Sequence, residues 1–418
     1  MLYHVCHWKG RFDLRLAVVS PFLDRQHGTE SCVVEQIEGL ALQHDWEIHL
    51  YAQRVEQVQG VRLSTALREN GGKSIVWHKV SNIPGPQLLK YLWWFCVNQL
   101  QRWLDRSFRD TKTDLTYSPG INCFGADVIV VHIVFHEFLS RVSSELQLRR
   151  VPMKSWYLII HRKLYYRLAM FLESRVYRNT RVRLIAVSSL VARQLKTYFG
   201  RSDVAVIANA VDTHRFTPEE RLTRRSKRRE FFGFSDKELV LLLIGNDWKK
   251  KGLDSLLKAF PLLSELFVRL LVVGSDDPRL YEPLLTKIAS PDQVRFEAPS
   301  PDVVSFYAAA DVYIGPSLED AFGLPILEAM ACGLPVIASV HAGASEFIRD
   351  GETGLILSDP SDPFEIARLV RRLYENAYLR GKMGRAASIF VQANCGWSQN
   401  VTKTRDFLES VLRDHPQS

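Results

Sequence analysis

Residues 317–339, SLEDAFGLPILEAMACGLPVIAS, constrain this chain more than any other stretch. They read as loop, helix, turn and strand. Pro325 has a fixed φ and no N–H, which suits the first turn of a helix. Ile326, Leu327, Ala329, Met330 and Ala331 predict a helix that is apolar on nearly every side and must be buried. Gly333 ends it, Pro335 stops the chain from resuming it, and residues 336–338 predict a short buried strand. Glu328 does not fit such a core, because a carboxylate there is costly unless something pairs with it. It is either a buried acid held by a neighbouring backbone or basic group, or a carboxylate that meets ligand hydroxyls. The amides near Gly323 and Leu324 open the helix, where partial positive charge favours a phosphate. Glu319 or Asp320 before the helix, amides at its start and Glu328 inside it together suit a sugar, a diphosphate and a ribose.

Strand and helix patterns alternate along the rest of the chain. Residues 14–20 (LRLAVVS) predict a buried strand, residues 31–44 a helix and residues 46–52 a second strand. Strand, loop, helix, strand builds a parallel sheet, with ligands met at the strand C-termini. The loop PFLDRQHGTES is thereby placed over a ligand-binding edge, with Gly28 allowing close backbone approach. The plainer reading is a turn followed by Glu30, an acid that suits the helix dipole. Further strands are expected at residues 74–79, 114–117, 127–131, 183–189, 204–207, 238–245, 268–274, 294–297 and 312–315, and a last helix from Trp397 to about Arg413. His132 follows the strand DVIVV, where a side chain points into the ligand edge. His136 competes with it, and either suits a plain loop lining as well. The run RLTRRSKRRE, residues 221–230, predicts a solvated, mobile loop.

Lys and Arg outnumber Asp and Glu by 54 to 46, which favours anionic partners: nucleotide phosphates, lipid phosphates or nucleic acid. The excess is local. Arg149, Arg150, Lys154, Arg162, Lys163, Arg167, Arg175, Arg178, Arg181 and Arg183 face only Glu173, with Trp156, Tyr157, Tyr165, Tyr166 and Phe171 interleaved. Nucleic acid and an anionic membrane suit that mixture equally, and a solvated face explains the charges better than the aromatics. Residues 88–108 predict a helix whose aromatics go more than halfway round. Trp93 and Trp94 cannot both face inward easily, so lipid or another subunit competes evenly with ordinary packing there. Cys6, Cys32, Cys96, Cys123, Cys332 and Cys395 include no Cys-x-x-Cys pair, which reads as a reducing compartment. His4, Cys6, His7 and Trp8 match no zinc spacing and read as a lead-in. No leader-like apolar region predicts a cleaved signal, and no apolar run reaches the ~18 residues of a membrane span.

The stretch around Pro325 closely resembles the donor-site signature of the family 4 retaining glycosyltransferases. That signature is an acid, a small residue, Phe-Gly-Leu-Pro, a second acid eight positions after the first, then Ala-Met-Ala-x-Gly-x-Pro-Val. Here the acids are Asp320, where the family usually has glutamate, and Glu328. The loop with Gly28 and Glu30 resembles the family's Gly-Gly-x-Glu loop, with His27 for the first glycine. RLIAVSS resembles its Val-Ser-x motif, and IANAVDTHRF its interdomain segment, in which Asp212 is expected to fix the turn. NDWKKKG resembles its phosphate loop: Lys251 and Gly252 match, and Asn246 stands where arginine is usual, with Lys249 or Lys250 as sources of the missing charge.

The resemblance implies an α/β protein of GT-B fold, with two Rossmann-like domains facing a central cleft and a C-terminal helix crossing back. The expected domains are residues 1–205 for the acceptor, 206–390 for the nucleotide sugar, and 391–418 for the returning helix. It implies transfer of a hexose from a nucleotide-diphosphate sugar to a hydroxyl of a glycan or lipid-linked acceptor, with retention, in envelope polysaccharide or glycolipid synthesis. His132, Asp320 and Lys251 are the expected catalytic residues. Gly28, Asn246, Lys251, Phe322, Gly323, Leu324, Pro325 and Glu328 are the expected donor contacts. No cofactor and no metal are expected, and no Asp-x-Asp occurs. The expected partners are the donor, the acceptor and an anionic membrane surface, not nucleic acid, with a cytoplasmic location at the inner membrane face. The rival is a noncatalytic module with a decayed donor site.

Overall fold

The computed structural model describes residues 14–25, 28–44, 46–59, 61–63, 75–108, 112–142 and 156–414. His4, Cys6, His7, Trp8, His27, Arg149, Arg150 and Lys154, singled out above, lie outside the described residues, as do the side chains of Trp156 and Tyr157.

The chain is α/β, with two large parallel sheets. The first is made of β1 (Arg15–Val19), β2 (Glu47–Ala52), β3 (Val61–Leu63), β4 (Ile75–Lys79), β5 (Leu115–Pro119), β6 (Val128–Val131), β7 (Arg183–Ala186) and β8 (Ala205–Val206), in the order β8-β7-β6-β5-β1-β2-β4-β3. The second is made of β9 (Leu239–Ile244), β10 (Val268–Val273), β11 (Val294–Glu297), β12 (Val312–Gly315), β13 (Val336–Ser339) and β14 (Leu355–Leu357), in the order β11-β10-β9-β12-β13-β14. Both orders reverse beside their first strand, which is where doubly wound sheets meet ligands. The sheets and their flanking helices are Rossmann-like. The strands are continuous apolar runs such as LVLLLI because both faces are covered.

The chain divides into two compact units. One is drawn from Met1–Val130, Val151–Arg183 and Thr404–Ser418, the other from Val131–Arg150 and Leu184–Lys403. In the first unit, α1 (Gly28–His44), α2 (Gln87–Phe108) and α4 (Trp156–Tyr177) accompany the strands. Trp94 is 1% exposed and donates its indole N–H to Asn122, whereas the neighbouring Trp93 stays 38% exposed. The final helix, α12 (Trp397–Asp414), ends in this unit, where Asp414 pairs with Arg183. Among the described residues no helix is long and apolar enough to cross a membrane.

In the second unit, α3 (Phe135–Val142) and α5 (Ser189–Phe199) precede α6 (Pro218–Phe232), α7 (Leu253–Ala259), α8 (Val304–Ala309), α9 (Leu324–Ala331), α10 (Pro363–Tyr374) and α11 (Ala377–Asn394). Leu241, Leu243, Leu256, Leu270, Ile314 and Val370 lie in one core between sheet and helices. Burying each contributes about 1.5 to 3 kcal/mol before the entropy of ordering the chain is set against it.

Residues 221–230, expected as a mobile loop, are the body of α6. Thr217 caps its start by accepting the Glu220 N–H at 3.1 Å, Pro218 follows at the first turn, and Gly233 closes its end at φ 70°. The arginines are tied down from elsewhere in the chain. Arg225 meets Asp311 at 2.6 Å, and Arg229 meets Asp311 at 3.0 Å and the Glu238 carbonyl at 2.9 Å.

Candidate active site

Strand β9 ends at Ile244, and Gly245, at φ 142°, turns the chain out of the sheet. A Cβ on Gly245 would stand 2.9 Å from Lys251 Cε, so the bare backbone leaves the path along which the Lys251 stem runs. Gly252 begins α7 at φ 78°, and a Cβ there would fall 1.9 Å from the Pro316 carbonyl oxygen. Gly252 demands glycine for space as well as for backbone angle, and Gly245 for its backbone angle.

The loop between them is fastened from the end of β10. The Asp276 carboxylate accepts the backbone N–H of Asp247 at 3.0 Å and of Trp248 at 2.8 Å. Asn246 Oδ1 accepts the Ser275 N–H at 3.1 Å and its hydroxyl at 2.9 Å. Lys250 pairs with Asp247 and lies 3.9 Å above the Phe138 ring, so its charge is already engaged.

Lys251 is aimed at the stretch that opened the sequence reading. Its Nζ forms an ion pair with Asp320 Oδ2. The other Asp320 oxygen accepts the Phe322 N–H at 3.3 Å. The turn around Asp320 is held by its neighbours: the Asp320 N–H donates to the His341 carbonyl at 2.9 Å, the Gly343 N–H to the Asp320 carbonyl at 3.0 Å, and the Ser188 hydroxyl to the Ala321 carbonyl at 2.7 Å. Gly323, at φ 88°, leads into α9. The Phe322 ring is buried beside Phe347 at 6.3 Å, so only its backbone is placed to meet a ligand. Pro325 has no N–H and supplies no donor; the amides at the start of α9 are those of Gly323 and Leu324.

Glu328 sits inside α9, half-buried, and accepts the Tyr307 hydroxyl at 2.6 Å. Burial raises its pKa, against the Tyr307 hydrogen bond and the Arg215 charge, which pull it down. Its partner is thus a phenol, neither the backbone nor the base expected. Tyr307 comes from α8, in the all-apolar run FYAAA, and no sequence spacing links it to Glu328. A lone phenol in a buried helix must still find a hydrogen-bond partner, and that was the available signal. Asp276 was missed because its work is done through the backbone of another loop.

His132 stands one residue beyond β6. Burial pushes its pKa down to about 4, so the imidazole is neutral at neutral pH. Its Nε2 is closed off from solvent without a hydrogen-bond partner. The rival His136 packs edge-on against Phe199, with ring centroids 5.0 Å apart. Gly28 is not in a loop: α1 begins at Gly28, three residues earlier than expected, with Glu30 in its first turn. The polar loop side chains preceding it are engaged as well, since Arg25 meets Glu38 at 2.6 Å. Gly28 belongs to the first unit and the other site residues to the second. There the structure brings Lys251, Asp320 and Gly323 together. The interdomain turn forms as expected, with Asp212 Oδ1 accepting the N–H of His214 at 3.0 Å and of Arg215 at 3.1 Å.

Two family descriptions match consecutive parts of the chain. Glycosyltransferase Family 4 matches residues 27–215, and Glycosyl transferases group 1 matches residues 224–389, which carry Lys251, Asp320 and Glu328. The chain belongs to the group 1 glycosyltransferases. Among curated relatives of the chain is the D-inositol 3-phosphate glycosyltransferase of Thermobifida fusca, 34% identical over 56% of this chain and 55% of the relative. The chain spans about half the length of the relatives it matches. The crystal structure of WaaG, a glycosyltransferase involved in lipopolysaccharide biosynthesis, superposes with a TM-score of 0.72 at 18% identity, covering 94% of this chain and 99% of WaaG. Anabaena HepE in complex with UDP-glucose superposes at 0.66 and 18% identity, covering 95% of this chain and 100% of HepE. At such identities the likeness is one of fold, and that fold is GT-B.

Proposed function

We propose that this glycosyltransferase moves a hexose from a nucleotide-diphosphate sugar to a hydroxyl of a glycan or lipid-linked acceptor, with retention at the anomeric carbon. The observation that carries the reading is the meeting of Lys251 and Asp320 at the start of α9, with Glu328 inside that helix. Lys251 supplies the cation for the leaving diphosphate, and the Gly323 and Leu324 amides supply donors that a helix N-terminus turns toward negative charge. Asp320 takes the sugar hydroxyls and Glu328 the ribose. His132, neutral and without a partner, offers its ring nitrogen to the sugar or the acceptor. The departing phosphate accepts the proton of the acceptor hydroxyl, so neither a protein base nor a metal is required. UDP, the nucleotide named with HepE, is the first base to test.

The acceptor class rests on a separate feature. Leu89, Leu92, Trp93, Leu100, Trp103 and Phe108 recur at helical spacing on α2 and are all exposed. On α4, Ile160, Leu164, Arg167, Phe171 and Arg175 recur the same way and are exposed too. Apolar side chains among exposed arginines suit a helix lying in an anionic membrane surface, where a lipid-linked acceptor resides. This supports a peripheral enzyme at the inner face of the membrane, on the cytoplasmic side, working in envelope polysaccharide or glycolipid synthesis.

The test is a transfer assay with UDP-, GDP- and ADP-hexoses and lipid-linked acceptors, without added metal and with chelator, and with product configuration read by NMR. The reading expects one nucleotide to support transfer, an axial donor linkage to stay axial, and chelator to change nothing. An inverted product, or no hydrolysis or transfer with any donor, would contradict it.

A further inference from the structure

The ion pair between Lys251 and Asp320 joins the two groups that the proposed reaction needs apart. Lys251 cannot give its full charge to a diphosphate while a carboxylate shares it, and the Asp320 oxygen that meets Lys251 is not open to sugar hydroxyls. Both side chains are largely enclosed, at 21% and 16% exposure, so water screens the pair only in part. Asp320 is also fixed in place. Its other oxygen holds the Phe322 N–H, and its backbone bridges to Ala342. Asn246 brings no charge to the loop, and its side-chain oxygen is held by Ser275. Lys250 is engaged by Asp247. Lys251 is therefore the phosphate-loop lysine that Asp320 holds.

We infer that Asp320 gates the diphosphate: the nucleotide must displace Asp320 from Lys251, and only that displacement presents the carboxylate to the sugar. The inference rests on the proposed donor site and concerns its regulation. The donor's two halves are thereby coupled. A free nucleoside diphosphate meets competition from Asp320 with no return, because it brings no hydroxyls for the freed carboxylate. A full nucleotide sugar meets the same competition and then satisfies both groups. The ion pair thus lowers affinity for the product nucleotide relative to the donor, which favours product release.

The experiment is calorimetric titration of UDP, GDP and ADP, and of the corresponding monophosphates, into wild type, Asp320→Asn and Asp320→Glu. Asparagine keeps an oxygen for the Phe322 N–H and removes the charge, and melting temperature verifies folding. The diphosphate that binds wild type should bind Asp320→Asn roughly five- to tenfold tighter, the scale of a partly buried ion pair removed as competitor. The monophosphate, which lacks the outer phosphate, should change less. Asp320→Glu, which keeps the charge, should stay near wild type, and adding Lys251→Met to Asp320→Asn should erase the gain. Unchanged or weaker diphosphate binding in Asp320→Asn, with wild type binding normally, would overturn the gate alone. Failure of every protein to bind any nucleotide would overturn the donor site and the gate with it.

Discussion

Helices α4 and α6 are both dense in arginine, and they use it in opposite ways. On α6 the charges turn inward. Arg224 reaches Asp302 at 2.8 Å, Arg225 reaches Asp311 at 2.6 Å, and Arg229, only 2% exposed, is held by Asp311 and by the Ala309, Ser235 and Glu238 carbonyls. Asp311 also accepts the Val240 N–H at 2.9 Å, so the same carboxylate anchors strand β9. On α4 the exposed arginines share their face with Ile160, Leu164 and Phe171, and among the described residues no acid pairs with Arg167 or Arg175. Local composition does not separate these two helices. The acids that decide the matter lie some 80 residues downstream of α6, as with Arg229 and Asp311, which are separated by 82 positions.

The comparison breaks most visibly at Arg229. Arg229→Ala should lower stability by about 3 kcal/mol or more, because it empties a buried site, leaves the Ala309, Ser235 and Glu238 carbonyls without their donor and removes one of the two arginines that hold Asp311. Denaturant unfolding checks this, and a loss under ~1 kcal/mol would mean that α6 is as open as α4.

The second effect extends the contrast to a half-buried histidine whose Nε2 has no partner. His132 has its pKa pushed down to about 4 by burial, below its ordinary value near 6.5. The unfolded chain therefore binds the extra proton first as pH falls. Stability from this group is complete above pH 6.5 and is lost progressively down to pH 4, by roughly 2 to 3 kcal/mol. His132→Asn should flatten that part of the curve, and a wild-type curve flat over the same window would place the imidazole in contact with water.

A smaller effect is expected at α4. Arg167→Ala with Arg175→Ala should leave unfolding within ~0.5 kcal/mol of wild type, yet weaken binding to anionic vesicles by about 1 kcal/mol per residue at low salt. Equal vesicle binding by wild type and double variant would remove the membrane from the account. The smallest is Glu220→Gln, which removes an exposed pair with Arg224 one turn on and should change stability by only ~0.3 to 0.5 kcal/mol.

Sequence made some of this legible and hid the rest for physical reasons. The helix from Leu324, its glycine entry, the alternating strands and the Asp212 turn are all set by local backbone chemistry, and they appear where expected. Helix α6 was obscured by charge density, although its cap residues Thr217 and Gly233 were plain. The partner of Glu328 and the partner of Lys251 were hidden by distance along the chain, 21 positions to Tyr307 and 69 to Asp320. Pairings of that kind are made by topology, and a single sequence does not display topology as spacing. Gly28 reads as loop because its helix starts before the apolar pattern does.

The central claim is that Lys251, Asp320 and Glu328 form a nucleotide-sugar donor site. It is tested most directly by the melting temperature of the full chain with UDP-, GDP- and ADP-sugars, beside Glu328→Ala. A ligand that binds only the folded state raises the melting temperature according to its affinity and concentration. The account predicts a shift with one nucleotide family that Glu328→Ala diminishes or loses. An undiminished shift in the variant, or no shift with any nucleotide sugar, would contradict it.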